Sequence, residues 1–154
     1  MHKTASIFTS AQDAASAYYL AFGKRQLEAM MSVWAEDEDI ICIHPGHGPL
    51  YGYDAVRASW AGIFSGESSL AEVERLQEQW IETVGLSIQT LVEWIHIRID
   101  DGSVRKIPIC VSNTYLRTPQ GWRMLSHHAS PMPGVLAESL QLNDILGRSK
   151  RVLH

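Results

Sequence analysis

The stretch that decides the fold runs from Leu86 to Arg117. Leu86–Ile99 reads LSIQTLVEWIHIRI, Asp100-Asp101-Gly102 follows, and Val104–Arg117 reads VRKIPICVSNTYLR. Both flanks are rich in Ile, Val, Leu and aromatic residues, whose side chains suit a pleated surface, and the Asp-Gly pair supplies the positive φ that a tight hairpin requires. Two long antiparallel strands are predicted here. Downstream, Thr118-Pro119-Gln120-Gly121 turns the chain into a further strand, Trp122–Ser130. Upstream, Leu70, Val73, Leu76 and Trp80 are spaced as in a helix, but Ile81, Thr83 and Val84 favour extended chain. We expect Val73–Val84 to be strand, because the sheet needs a long neighbour for the hairpin.

The N-terminal third is helical in pattern. Ser10–Gly23 carries Ala14, Ala17, Tyr18, Ala21 and Phe22 on one stripe behind a serine cap, with Gly23 as its stop. Arg25–Trp34 aligns Leu27, Met30, Met31 and Trp34. Ile40–His44 is a short strand stopped by Pro45-Gly46, and Tyr53–Ser65 is a third helix. Val135–Leu146 reads as a C-terminal helix. The expected fold class is α+β: a curved antiparallel sheet wrapped around the N-terminal helices, a cone with a hydrophobic pocket, plus that last helix. One domain over 1–154 is expected, with a core of about 10–131 and a helical extension over 133–154.

Charge and composition narrow the functions. The 154 residues carry 13 Lys+Arg against 17 Asp+Glu, a net −4, with no basic stripe, so nucleic acid is not an expected partner. No apolar run approaches the ~20 residues that span a bilayer, and no apolar signal-peptide core opens the chain; a cytoplasmic protein without a membrane partner is expected. Cys42 and Cys110 sit in apolar stretches without CxxC spacing and read as buried thiols. Neither a phosphate-cradling glycine loop nor a GxSxG nucleophile motif occurs, and no cofactor is expected. His44 and His47 with His128 lack a placed acidic ligand, so no metal is expected either.

Three motifs carry a family resemblance: YYLAFGKRQLEAMMSVWAEDEDIICIHPG (18–46), GYDAVRASWAGIF (52–64) and SNTYLRTPQGWRMLSHHASP (112–131). Together they resemble the superfamily of ketosteroid isomerases, SnoaL-like polyketide cyclases, scytalone dehydratases and nuclear transport factor. The resemblance implies a cone fold and a donor tyrosine at Tyr18. It implies a base before the proline of His44-Pro45, where the isomerases have an acid, and a second donor at Asn113, where they have a protonated acid. His, Tyr and Asn could still support proton abstraction, since an imidazole titrates near neutrality and an amide donates without a shifted pKa. His44, Tyr18 and Asn113 are therefore the expected catalytic residues. Trp34, Trp60, Tyr115 and His128 are the expected substrate-binding ones. His128 is chosen over His127 by parity with Trp122, Met124, Ser126 and Ser130 and by resemblance to the family's last strand, which leaves His127 for the outer face.

The expected function is a small-molecule pocket protein, acting as a cofactor-independent isomerase, cyclase or dehydratase on a hydrophobic oxygenated ligand. The alternative is a non-catalytic binding or dimerisation module. Each residue also has a plain structural role open to it: His44 bonding its own turn, Tyr18 and Asn113 satisfying the core. A homodimer through the outer sheet face is expected, since that face needs cover.

Overall fold

The computed structural model describes residues 7–66 and 70–134, and the expected helix Val135–Leu146 lies outside them. Helix α1 spans Ala11–Lys24 and is capped by Ser10, whose hydroxyl accepts from the Asp13 N–H at 3.0 Å. It runs through Gly23 and ends instead at Arg25, which takes the left-handed conformation at φ 54° and closes the last turn onto Ala21 and Phe22. Its buried stripe mixes Ala11, Ala14, Ala15 and Ala21 with Tyr18, Tyr19 and Phe22. Helix α2, Leu27–Val33, buries Met30, Met31 and Val33; helix α3, Tyr53–Ser65, buries Val56 and Trp60.

Six strands follow the order β2-β1-β6-β5-β4-β3 in one curved sheet: β1 Ile41–Ile43, β2 Leu50–Tyr51, β3 Leu70–Glu82, β4 Leu86–Arg98, β5 Val104–Thr118 and β6 Gly121–Pro131. The segment of mixed pattern, Val73–Val84, falls almost wholly in β3 and pairs along most of β4. Its helical spacing has a local cause. Between Leu76 and Gln79 β3 holds one residue more than its partner, and Gln77 takes φ 52° there. Val73 and Trp80 pack into the main core, whereas Leu76 joins Val92 and Trp94 on the opposite face, so a bulged strand imitates a helix.

The hairpin between β4 and β5 turns through Asp100-Asp101-Gly102, with Gly102 at φ 82°. Its other pairings are antiparallel, with one exception to the expectation: β1 runs parallel to β6, Cys42 opposite His127. The chain between them passes through α3 and the whole β3–β5 meander, so no hairpin dictates their direction. The two-residue β2 was not foreseen either.

The helices cover the inner face of the sheet. Trp34, Trp60, Tyr18, Tyr115, Met30 and Met124 are among the bulky side chains of the resulting core. At the β5–β6 turn, Gly121 has φ 93°, and a Cβ there would lie 2.7 Å from the Phe8 carbonyl oxygen, which also accepts the Trp122 N–H at 2.8 Å. Both the conformation and the space demand glycine. Gly121→Ala should therefore lose about 1–3 kcal/mol, read as a lower urea midpoint at unchanged slope.

Candidate acid–base site

Strand alternation places Gln89, Leu91, Glu93, Ile95 and Ile97 of β4 on the face that α1 and α3 cover, beside Ile107, Ile109, Asn113 and Tyr115 of β5. At one end the cover is incomplete, leaving a cavity of about 500 Å³. Its walls are those four isoleucines with Phe22, Ile63 and Trp60; its polar lining is His44, His47, Glu93 and His127. An apolar cavity with a few converging polar groups is the usual form of a small-molecule site.

A buried hydrogen-bonded chain stands behind this wall. Tyr19 donates to Glu93 Oε2 at 2.8 Å, and Asn113 Nδ2 donates to Tyr19 Oη at 3.0 Å and to Gln89 Oε1 at 3.1 Å. Asn113 Oδ1 lies 2.6 Å from His127 Nδ1. Gln89 Oε1 also accepts from Tyr115 at 2.7 Å, and Gln89 Nε2 donates to Glu78, which is paired with Arg75. On the other side of the cavity His44 Nε2 is 3.0 Å from Ser59 Oγ, and its ring meets Trp60 edge-on.

Burial sets the protonation of these groups. The Glu93 carboxyl, 1% exposed and without a cationic partner among the described residues, is pushed up to about 7; the Tyr19 hydrogen bond opposes the shift only in part. His127 is pushed down to about 3 by burial and then by His44 and His128, and His44 to about 4 by burial and then by His47. Both imidazoles are neutral at pH 7. Cys42, 3.5 Å from His44 Nε2, is raised to about 12 by burial, which keeps it a thiol and no nucleophile.

The expected residues are divided by the structure. His44 and Trp60 line the cavity. Asn113 is fully buried one layer behind, its amide committed to Tyr19, Gln89 and His127. Tyr18 is not on the lining; its hydroxyl is buried without a hydrogen-bond partner among the described residues, and its ring packs 5.5 Å from that of His127. Tyr115 bonds Gln89 and packs on Trp80, and Trp34 lines a different groove, beside Met31 and Arg123. His128 is a correction: it is exposed, and His127 is the inward histidine. Between Met124 and Ser126 β6 carries an extra residue, Leu125, so alternation counted from Trp122 lands on the wrong face.

Sequence reading missed Glu93, Tyr19 and Gln89. A usable signal existed for Glu93, a lone acid two residues from both Leu91 and Ile95 on an inward face. Among the described residues no group of three or more metal-ligating side chains comes together, and no helix is long and apolar enough to cross a membrane.

Residues 12–134 match the SnoaL-like domain family. The chain belongs to that family. Among solved structures, it is 37% identical to a Thiobacillus denitrificans protein named as a calcium/calmodulin-dependent protein kinase type II association domain; the match covers 83% of this chain and 99% of that one, with a TM-score of 0.70. A Streptomyces avermitilis protein, named as a dehydratase of the NTF2-like family, is 26% identical over 79% of this chain and 92% of its own, with a TM-score of 0.67. Among curated proteins, the F-box protein SKIP8 of Arabidopsis thaliana is 25% identical over 119 residues, 75% of this chain. The chain spans 46% of that relative's length.

The raised Glu93 pKa has a stability consequence. The unfolded chain ionises this carboxyl near 4.5 and the folded chain near 7, so the folded state loses stability as pH rises between them and stays lower above. Glu93→Gln should remove that loss. Its stability relative to the wild type should grow across pH 4.5–7 to about 3 kcal/mol, measured by denaturant titration at several pH values.

Proposed function

We propose that this domain is a cofactor-independent acid–base enzyme that moves a proton on a small hydrophobic molecule bearing an oxygen function, with Glu93 as the proton-transferring group. One observation carries the reading: a buried carboxyl with no counter-ion among the described residues stands on the wall of an apolar cavity and titrates near neutrality. The Tyr19 hydroxyl receives a hydrogen from Asn113 and gives its own to Glu93 Oε2. Oε1 is thus the oxygen that takes up and returns a proton. The carboxylate removes a proton from a carbon next to a carbonyl, and the acid then delivers it to another carbon or to a departing hydroxyl. Isomerisation, cyclisation and dehydration share this pair of steps. His44 serves this scheme as a neutral hydrogen-bonding wall group rather than the base, and Tyr18 and Asn113 as its support. The Streptomyces neighbour's name fits the same chemistry.

The test is solvent deuterium exchange at the α-carbon of cyclic ketones and hydroxy-ketones, followed by NMR. Exchange should rise tenfold per pH unit below about 7 and level off above, as the carboxylate form fills, and Glu93→Gln should lower it by about 10²–10⁴. Bound ketones that exchange no faster than in buffer would remove the catalytic reading.

A second reading, an association module, is favoured by the name of the 37% identical neighbour. The apolar cluster of Val92, Trp94, Leu76 and Met132 on the outer sheet face adds nothing to it, because Val92 and Trp94 are already buried within the single chain. Light scattering at micromolar concentration should give at least a dimer mass, and a strict monomer would sink this reading.

A further inference from the structure

The direction of the buried hydrogen-bonded chain is fixed at its far end. The Glu78 carboxylate has no hydrogen to give: it is 2.5 Å from Arg75 Nη2 and accepts from Trp80 Nε1 at 3.0 Å and Gln89 Nε2 at 2.7 Å. Gln89 must therefore turn its oxygen the other way, where it takes hydrogens from Tyr115 and from Asn113 Nδ2. Asn113 in turn is left with its oxygen toward His127 Nδ1. A carbonyl oxygen only accepts, so the hydrogen of that bond sits on Nδ1. A neutral imidazole has one N–H, and Nε2 of His127 is bare. It has no partner among the described residues, and His127 lines the cavity.

His44 is set in the mirror sense. The Ser59 hydroxyl spends its one hydrogen on the Val56 carbonyl at 2.7 Å, so His44 Nε2 must donate to Ser59 Oγ. Its Nδ1 is then bare, with only the Cys42 sulfur at 4.0 Å. The two rings are 6.3 Å apart. Trp60 Nε1 and the Tyr18 hydroxyl are buried away from open space, and the remaining inner donor, the Glu93 acid, is lost as that carboxyl ionises above about pH 7. His47 is exposed at the rim.

The geometry points to a cavity that recognises a hydroxyl hydrogen of its substrate, held by the bare Nε2 of His127 and the bare Nδ1 of His44, so that alcohols and hydroxy-ketones are taken in preference to the matched ketones. This rests on the reading of the cavity as the small-molecule site. A carbonyl oxygen set against these nitrogens meets lone pairs with lone pairs after both sides have lost water. A site built around a hydroxyl rejects the analogue that lacks it for this reason. Glu78, which touches no cavity atom, is then a positioning residue for specificity. Reversing the His127 tautomer would require Asn113 and Gln89 to flip against its carboxylate.

The test compares 2-decalol with 2-decalone by titration into the wild-type chain at about pH 9, where Glu93 carries no hydrogen, with ¹⁵N NMR of His127. The alcohol should bind about ten- to a hundredfold more tightly, the cost of one buried unpaired acceptor. Nε2 should read as unprotonated in the free protein and shift on adding the alcohol but not the ketone. Glu78→Gln, which can offer Gln89 either an oxygen or an amide hydrogen, should narrow the preference while still binding. Equal or stronger binding of the ketone, binding of neither probe, or a hydrogen on Nε2 of the free protein overturns the proposal. Alcohol preference without Glu93-dependent exchange would instead sink the catalytic reading and leave this one standing.

Discussion

One extra residue in each of two strands determines which side chains reach the cavity. Strand alternation is strict, so a single inserted residue exchanges the faces of everything beyond it. The bulge at Leu125 turns His127 and Ala129 inward and His128 out. The one after Leu76 brings Glu78 and Trp80 to the inner face, where Glu78 meets Gln89. Without the first, His128 would face inward in place of His127, and the contact between His127 and Asn113 would be lost. Without the second, the buried amides would have no carboxylate to orient them. Both bulges also bend their strands, as a sheet wrapped around helices requires.

The polar interior this creates is arranged around deprivation of water. Glu93 lacks a cation among the described residues and holds its proton up to about pH 7, while His44 and His127 refuse theirs until about 4 and 3. Burial drives all three toward neutrality from opposite directions, since either charge is costly in an apolar cavity. An empty net charge inside suits an uncharged ligand, and it leaves the carboxyl alone among the three able to change state under ordinary conditions.

Most of the architecture was legible because it follows from local patterns. Helix α3 and the β4–β5 hairpin came from apolar period and an Asp-Gly turn, and both stand within a residue or two of the expected limits. The site was only partly legible. His44 and Trp60 are adjacent to strong local signals, a Pro-Gly stop and a helical stripe. His127 depended on a bulge, and no local pattern announces one inserted residue in a strand with few alternating apolar positions. Tyr18 and Tyr19 are neighbours on one helix and both buried; only the position of β4 tells which hydroxyl meets Glu93. Trp34 and Tyr115 followed the apolar pattern correctly into the core, but core and cavity wall are the same class of position until the packing is known.

The parallel contact of β1 with β6 bears on how the molecule assembles. His44 follows directly on β1, and His127 lies on β6 opposite Cys42, so the two imidazoles meet only when that contact closes. Its partners are separated by α3 and three long strands, whereas the β3–β6 meander is built from neighbours in sequence. Closing so long a loop carries an entropy cost that local hairpins do not. The cavity is expected to be among the last parts of the fold to form and the first to open, so marginally destabilised chains should retain their meander while the two histidines separate.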